Sequence, residues 1–111
     1  MQTRAFKMHI HPGQHDEYRR RHDDIWLDLV SALRQAGIDD YRIFLDADSS
    51  TLFAVMHCHD DNKVDALSSL PVMRKWWAYM ADIMPSNDDL SPISSNLLPV
   101  FMLSSPANST V

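Results

Sequence analysis

The sequence of 111 residues predicts an α+β fold, in which a four-stranded antiparallel sheet carries helices on one of its two faces. Alternating apolar and polar residues indicate strands near both ends and in the middle of the chain, and apolar stripes at helical spacing lie between them. The composition is 45% hydrophobic and 23% charged, as in an ordinary globular protein. A chain of this length can bury one core of normal size.

The first predicted unit is a strand followed by a helix. Residues 6–10 alternate between apolar and polar side chains, and the sequence His11-Pro-Gly13 ends this strand. An apolar stripe at helical spacing then predicts a single helix from about Gln14 to Ala36, and Gly37 is a natural residue to end it.

The middle of the chain predicts a hairpin followed by a pair of helices. Residues 41–45 alternate, and after a short polar loop the apolar run 52–56 provides the second strand of the hairpin. Residues 61–70 have the pattern of a short helix. Pro71 can open a second helix at its first turn, and Pro85 is expected to end it.

The last predicted elements are a loop and a strand. Residues 86–95 have no periodicity and predict a loop, whereas the alternation over residues 98–103 predicts a last strand. The order of elements is strand, helix, strand, strand, helix pair and strand, which is typical of the ferredoxin-like arrangement. We therefore expect one domain over residues 1–103 and a flexible C-terminal tail over residues 104–111.

The sheet face that the helices leave uncovered is predicted to be too apolar for open water. Its strands carry five apolar side chains: Phe44, Phe53, Val55, Phe101 and Leu103. An exposed apolar surface of this kind marks an interaction site more often than a free surface. We therefore expect a homodimer in which this face packs against a second copy of the chain.

The charge balance argues against two classes of partner. Fifteen acidic side chains against ten basic ones give a formal charge of −5. Because proteins that bind nucleic acid or anionic membranes need a basic surface, we expect neither partner. The single cysteine needs no oxidising compartment, and no apolar run has the length of a signal peptide or a membrane span, so a cytoplasmic location is expected.

Six histidines raise the question of a metal site. His9 with His11, and His57 with His59, have the spacing that places two imidazoles on one face of a strand. The first and third strands are antiparallel neighbours in the predicted sheet, which places the two pairs far apart. Two ligands do not complete a zinc site, so no metal is expected.

His22 is the most informative position in the chain. It lies close to Tyr18 on the apolar stripe of the first helix, whereas the charged residues around it, Arg19 to Arg21 and Asp23 to Asp24, are expected to face solvent. Two interpretations stay open. His22 is either a core histidine that hydrogen-bonds to a carbonyl group or to Tyr18, or a general acid and base in a pocket, because its charge changes near neutral pH.

Trp76 and Trp77 also have two interpretations. Adjacent helix residues point in different directions, so one indole can fill the core while the other faces the edge of a cavity. Both can equally be bulky core residues. In a cavity, an aromatic face would pack against the C–H surface of a sugar, with Tyr41 and Asp82 as further polar groups.

Four motifs make the sequence resemble the L-rhamnose mutarotase family, and the resemblance covers residues 4–103. These motifs are YRRRHDDIW at 18–26, DYRIFLD at 40–46, KWWAYMADIM at 75–84 and SPISS at 91–95, the last followed by Leu97 and Val100-Phe101. The chain departs from the family pattern at Leu27, where a proline is common. It also departs in one loop, where Asp88 and Leu90 replace a usual proline and asparagine.

The resemblance implies a dimeric ferredoxin-like fold, also called a dimeric α+β barrel, and a carbohydrate isomerase that needs no cofactor. It implies that His22 is the proton donor and that four aromatic residues contact the sugar: Tyr18, Tyr41, Trp76 and Trp77. Interconversion of the α and β anomers of L-rhamnose requires that the ring oxygen gains a proton while the anomeric hydroxyl loses one, and ring closure reverses both transfers. The second proton-transfer group stays open between a tyrosine hydroxyl and a bound water.

A different function on the same fold is the alternative, because a fold does not decide function. Dimeric ferredoxin-like proteins also include small-ligand-binding proteins and cofactor-free monooxygenases. A binding protein without turnover would keep the aromatic residues but would not need His22, and a monooxygenase would consume oxygen.

Overall fold

The structure, a computed structural model, describes residues 1–103, which form four strands, three α-helices and one 3₁₀ helix. In chain order these are β1 (Gln2–His9), α1 (His15–Asp23), α2 (Leu27–Gln35), β2 (Ile38–Asp46), β3 (Thr51–Cys58), the 3₁₀ helix (Val64–Ser69), α3 (Pro71–Met80) and β4 (Ser95–Asn96). Among the helices of this range, none has the length and apolar character needed to cross a membrane.

The strands form one antiparallel sheet in the order β2-β3-β1-β4. The helices cover one of its faces, which confirms the predicted α+β, ferredoxin-like fold. The predicted hairpin is confirmed as β2 and β3, whose register places Phe44 opposite Phe53 and Tyr41 opposite Met56. Tyr41 and Phe44 therefore lie on opposite faces of the sheet.

The core lies between the sheet and the helices. Side chains of β3 alternate across the sheet, so the four even-numbered residues from Leu52 to Cys58 are buried under the helices, whereas Phe53 is 37% exposed on the other face. Leu29 of α2 and Met80 of α3 fill the same core. Since full burial of such side chains contributes about 1.5–3 kcal/mol each, the alternation determines which face of the sheet the helices cover.

The single helix predicted from about Gln14 to Ala36 is wrong, because the structure has two helices, α1 and α2, with a break at residues 24–26. Trp26 is extended at this break, with φ −65° and ψ 133°. Its indole packs edge-to-face against Trp76, with ring centroids 5.1 Å apart, and this aromatic contact stabilises the interruption. Periodicity does not reveal the break, since an apolar Trp26 suits a continuous stripe equally well.

Two other helix predictions need correction. The short helix expected over residues 61–70 is a 3₁₀ helix. The next helix begins at Pro71 as predicted but ends at Met80, five residues before Pro85. The chain then turns, because the amide of Ile83 donates to the carbonyl oxygen of Met80 over 3.1 Å, and the turn buries Ile83 in the core.

The strand predicted over residues 98–103 is also wrong. The last strand, β4, lies earlier, at the end of the predicted loop, and pairs with Phe6 and Lys7 of β1. The amide of Leu97 still donates to the carbonyl oxygen of Ala5, and residues 98–103 have no strand assignment. An alternating pattern predicts a strand only where a partner strand is available, and within residues 1–103 no strand pairs with the segment after Leu97.

The segment 98–103 is exposed along its whole length. Phe101 and Leu103 therefore do not lie on the open face of this chain's own sheet, contrary to the prediction, and are 83% and 84% exposed. Phe44 and Phe53 do lie on that face. The tail predicted over residues 104–111 lies outside the described residues.

Leu27 provides a test of the helix break. It is the first residue of α2 and is 82% exposed, and proline is favoured at this position because its fixed φ suits the first helical turn. The extended Trp26 is compatible with a following proline. We expect Leu27→Pro to raise the free energy of unfolding by about 0.4–1 kcal/mol, measured by urea denaturation. Leu27→Ala is the control, and a Leu27→Pro protein less stable than this control would contradict the assigned break.

Candidate active site

A cavity of about 1250 Å³ opens between the sheet and the helices, and a smaller cavity of about 70 Å³ shares part of its wall. The structure brings all five candidate site residues together on the walls of both cavities: Tyr18, His22, Tyr41, Trp76 and Trp77. The rest of the smaller cavity is apolar: Met8, Ile43, Met73, Met80, Met84 and Pro92. Asp82, suggested as a further polar group, lines neither cavity.

His22 lies near the end of α1 and is half-buried. Its Nδ1 is 3.0 Å from the carbonyl oxygen of Tyr18, one helical turn earlier. The two rings stack with centroids 4.3 Å apart, and the indole of Trp76 meets the imidazole edge-to-face at 5.4 Å. Burial lowers the pKa of His22 below its ordinary value, although the bond to Tyr18 and the charge of Asp23 oppose this shift. The ring is therefore neutral at neutral pH.

Two phenols face the same space from different elements. Tyr18 projects from α1 and is buried, and Tyr41 projects from the inner face of β2. Burial raises the pKa of both phenols above the ordinary value, and for Tyr18 the nearby Tyr41 adds to the effect. Both hydroxyls therefore keep their protons at neutral pH and can donate hydrogen bonds to a ligand.

The two tryptophans occupy different environments. Trp76 is buried at 6% exposure and contacts aromatic rings on three sides: those of His22, Trp26 and Tyr79. Trp77 is half-buried at the cavity wall. Trp76 thus fixes the position of the His22 ring, and Trp77 offers part of an aromatic surface to a ligand.

Arg21 is the residue that the sequence interpretation missed, because it is buried at 8% exposure and not in solvent. Its Nε donates to Glu17 over 2.7 Å, and its Nη1 donates to the carbonyl oxygen of Tyr79 and to Asp82 over 2.7 and 2.8 Å. The guanidinium also lies 4.5 Å from the centroid of the Tyr79 ring. The spacing of three residues from Tyr18 was the available signal, since it places Arg21 beside the apolar stripe.

This group of contacts ties α1 to the end of α3. The carboxyl pKa of Glu17 is held at about 2 by Arg20 and Arg21, and the pKa of Asp82 is lowered mainly by its bond to Arg21. Carboxyl groups whose pKa is lowered in the folded protein stabilise the fold at pH values above their ordinary pKa. This stabilisation is lost as the pH falls through the lowered pKa values.

We expect Arg21→Met to lower the free energy of unfolding by about 1–3 kcal/mol at pH 7, because it leaves the carbonyl of Tyr79 without its donor. Urea denaturation measures the change. Arg20→Met is the matched control, since Arg20 is exposed and pairs only at the surface. Equal losses in the two variants would show that Arg21 does not fasten α1 to α3.

The loop that departs from the family pattern borders the cavity, but the replaced residues do not line it. Asn87, Ser91 and Pro92 face the larger cavity, whereas Asp88 and Leu90 do not. Leu90 has φ 69°, in the left-handed region. A leucine is strained there and an asparagine is not, so the replacement changes the backbone energy of the loop and leaves the cavity wall in place.

The histidine pairs do not meet. His9 lies opposite Thr51 at one end of β3, and His57 lies opposite Thr3 near the other end. The Nδ1 of His57 is 3.1 Å from the hydroxyl of Thr3 on the open face of the sheet. Within residues 1–103, no three side chains of the metal-binding types are grouped closely enough to hold an ion.

Fold and cavity together define a class of protein. It is a ferredoxin-like α+β domain with a cavity between sheet and helices, and the wall of this cavity carries a neutral histidine, two protonated phenols and two indoles. A ligand with both C–H surfaces and hydroxyl groups suits such a wall.

The chain belongs to the L-rhamnose mutarotase family, because the family model described as L-rhamnose mutarotase matches residues 3–103. An L-rhamnose mutarotase of Burkholderia cenocepacia (strain HI2424) is 54% identical over 103 residues, which are 93% of this chain and 99% of the relative. An L-rhamnose mutarotase of Paraburkholderia phymatum is 51% identical over 108 residues, which are 97% of this chain and 100% of the relative.

Solved structures agree with this assignment. The crystal structure of an L-rhamnose mutarotase from Formosa agariphila has a TM-score of 0.87 and 38% identity, covering 94% of this chain and all of that chain. A Mycobacterium tuberculosis protein has a TM-score of 0.58 at 14% identity, covering 92% of this chain and 97% of its own. This second likeness concerns the fold alone.

Proposed function

We propose that this protein is an L-rhamnose mutarotase, an isomerase that interconverts the α and β anomers of the sugar by opening and closing its ring. The observation that carries the proposal is the position of His22: one neutral imidazole, held by the carbonyl of Tyr18, lies on the wall of an aromatic cavity. Membership of the family supports the substrate. We assign this activity to one domain over residues 1–103.

The walls suit a deoxy sugar. L-rhamnose has a methyl group in place of one hydroxymethyl group, and the apolar part of the cavity, which includes Met8 and Met73, can hold it without leaving a polar group unpaired. Trp77 packs against a C–H face of the sugar, and Tyr18 and Tyr41 donate hydrogen bonds to its oxygens. Trp76 contributes mainly by holding His22.

The proton transfers require only groups that titrate or hydrogen-bond. His22 moves protons during ring opening and closure, since an imidazole accepts and releases a proton near neutral pH. The reaction already proceeds slowly in water, so a histidine with well-placed donors is sufficient. We therefore propose that no metal or organic cofactor takes part.

The roles of His22 and Trp77 separate in two variants. We expect His22→Ala to slow anomer exchange on the order of 100-fold or more with a much smaller loss of rhamnose affinity. Trp77→Ala should weaken binding more than it slows exchange. Magnetisation transfer between the two anomeric protons of L-rhamnose measures exchange, titration calorimetry measures affinity, and His59→Ala, at an exposed loop position, is the control.

Melting temperatures of the same variants test the alternative that His22 only fills space, which predicts a lower melting temperature for His22→Ala with near-normal exchange. A folded His22→Ala protein that keeps near-normal exchange would contradict the assignment, whatever its melting temperature. If the wild-type protein bound L-rhamnose without accelerating exchange, the protein would be a small-ligand-binding protein.

The alternative of a cofactor-free monooxygenase is supported by likeness of fold alone. A protein of Chloroflexus aurantiacus named as a candidate antibiotic biosynthesis monooxygenase has 17% identity and a TM-score of 0.55.

We also propose that the protein is a homodimer that packs through the open face of the sheet. Phe44 and Phe53 lie opposite each other there and are 58% and 37% exposed, with the half-buried Val55 beside them. The exposed Phe101 and Leu103 add apolar surface that a second copy can cover.

Light scattering after size-exclusion chromatography tests this proposal. At micromolar concentration we expect twice the mass of the chain, and we expect Phe44→Lys to shift the protein towards the monomer, because a dimer would bury the added charge. Leu27→Lys, on the helical side, should stay dimeric. A wild-type monomer at this concentration would contradict the proposal.

A cytoplasmic location is also proposed. It is supported by the cysteine content, since the only cysteine of the sequence, Cys58, is buried in the core and the fold therefore needs no disulfide.

A further inference from the structure

The hydrogen bond between His22 and Tyr18 fixes which ring nitrogen holds the proton. The partner of Nδ1 is a backbone carbonyl oxygen at 3.0 Å, and a carbonyl oxygen can only accept. Nδ1 must therefore be the donor. In the neutral ring this leaves Nε2 without a proton and with a free lone pair.

We propose that His22 begins the reaction as a base at Nε2 and then returns the same proton to the ring oxygen, so that this one side chain performs both transfers. This inference rests on the proposed function and identifies the second proton-transfer group as His22 itself. Because Nδ1 holds the proton of the neutral ring, a His22 that acted only as a proton donor at Nε2 would have to start with both nitrogens protonated.

The transfers balance without another reactant. Nε2 takes the proton of the anomeric hydroxyl, and the electrons of that O–H bond form the carbonyl of the open-chain aldehyde. The bond between the anomeric carbon and the ring oxygen breaks, its electron pair stays on the ring oxygen, and that oxygen takes the proton from Nε2. Both oxygens are bonded to the same carbon, so one nitrogen can serve both. Rotation of the aldehyde and the reverse steps produce the other anomer.

The surroundings favour a neutral starting ring. The titratable groups on the wall of the smaller cavity are Tyr18 from α1 and Tyr41 from β2, and α3 contributes only Trp76, Trp77 and methionines to that wall. Asp23 is the neighbouring charge on the same helix. The charged or titratable groups that line only the larger cavity are Arg4, His15, Asp16, Arg19 and Asp23 itself. Hence no carboxylate on the wall of the smaller cavity stabilises an imidazolium there, while the phenols can donate hydrogen bonds to the sugar without losing their protons.

The pH dependence of kcat/KM for anomer exchange distinguishes the two starting states. If His22 starts as a base, kcat/KM rises as the pH increases through the pKa of His22, which burial lowers from its ordinary value, and reaches a plateau at neutral pH. If His22 must start protonated, kcat/KM falls as the pH increases through the same value. The second profile would overturn the proposal.

Single tyrosine variants test whether one residue performs both transfers. We expect Tyr18→Phe and Tyr41→Phe each to retain kcat within about tenfold while KM rises, whereas His22→Gln loses on the order of 100-fold or more in kcat. A loss of kcat in either tyrosine variant as large as that of His22→Gln would show that a phenol is the second proton-transfer group.

Long-range ¹H–¹⁵N correlation spectra of the sugar-free protein read the tautomer directly. The signals of His22 are assigned by their disappearance in His22→Gln, with His59→Gln as the control. We expect the neutral ring at pH 7.5 to hold its proton on Nδ1, and a proton on Nε2 would refute the inference. Because this measurement needs no substrate, it separates failure of the inference from failure of the proposed function, which appears as absence of exchange on rhamnose in the wild-type protein.

Discussion

The packing of α1 against α3 through the indole of Trp76 is the contact on which the candidate site depends. His22 approaches this ring from α1, Trp26 from the break between α1 and α2, and Tyr79 from the next turn of α3. The contacts with His22 and Trp26 are edge-to-face and the contact with Tyr79 is tilted. Aromatic contacts are directional and weak singly, so three of them on one buried ring constrain it more than any one would. The constraint places His22 on the cavity wall with its Nδ1 at the carbonyl of Tyr18.

Arg21 holds α1 against α3, although it does not line the cavity itself and only its neighbour His22 does. A buried guanidinium is costly unless its donors are satisfied, and here they bond to Glu17, Asp82 and the carbonyl of Tyr79. These partners lie on both sides of the contact between α1 and α3. The residue therefore acts on the geometry of the site without lining it.

The alternation along the first three strands and the stripe that contains His22 depend on short-range geometry. These strands, the covered face of the sheet and the cavity residues could therefore be predicted from the sequence. The break at Trp26 and the burial of Arg21 could not, because both depend on contacts with α3, some 50 to 60 residues later in the chain. The exposed segment 98–103 shows a similar limit, since its alternating pattern predicts a strand but does not say which chain supplies the neighbouring strand. The functional interpretation of His22 gained most from the resemblance, because its position alone favoured a core histidine.

A structure of the protein with L-rhamnose bound would show directly whether the cavity between sheet and helices holds the reacting end of the sugar at His22. We expect the anomeric and ring oxygens to lie within hydrogen-bond distance of Nε2 of His22, with Trp77 against a C–H face of the ring. Rhamnose bound with its anomeric carbon far from His22, for example beside His15 and Ser50, would contradict this expectation.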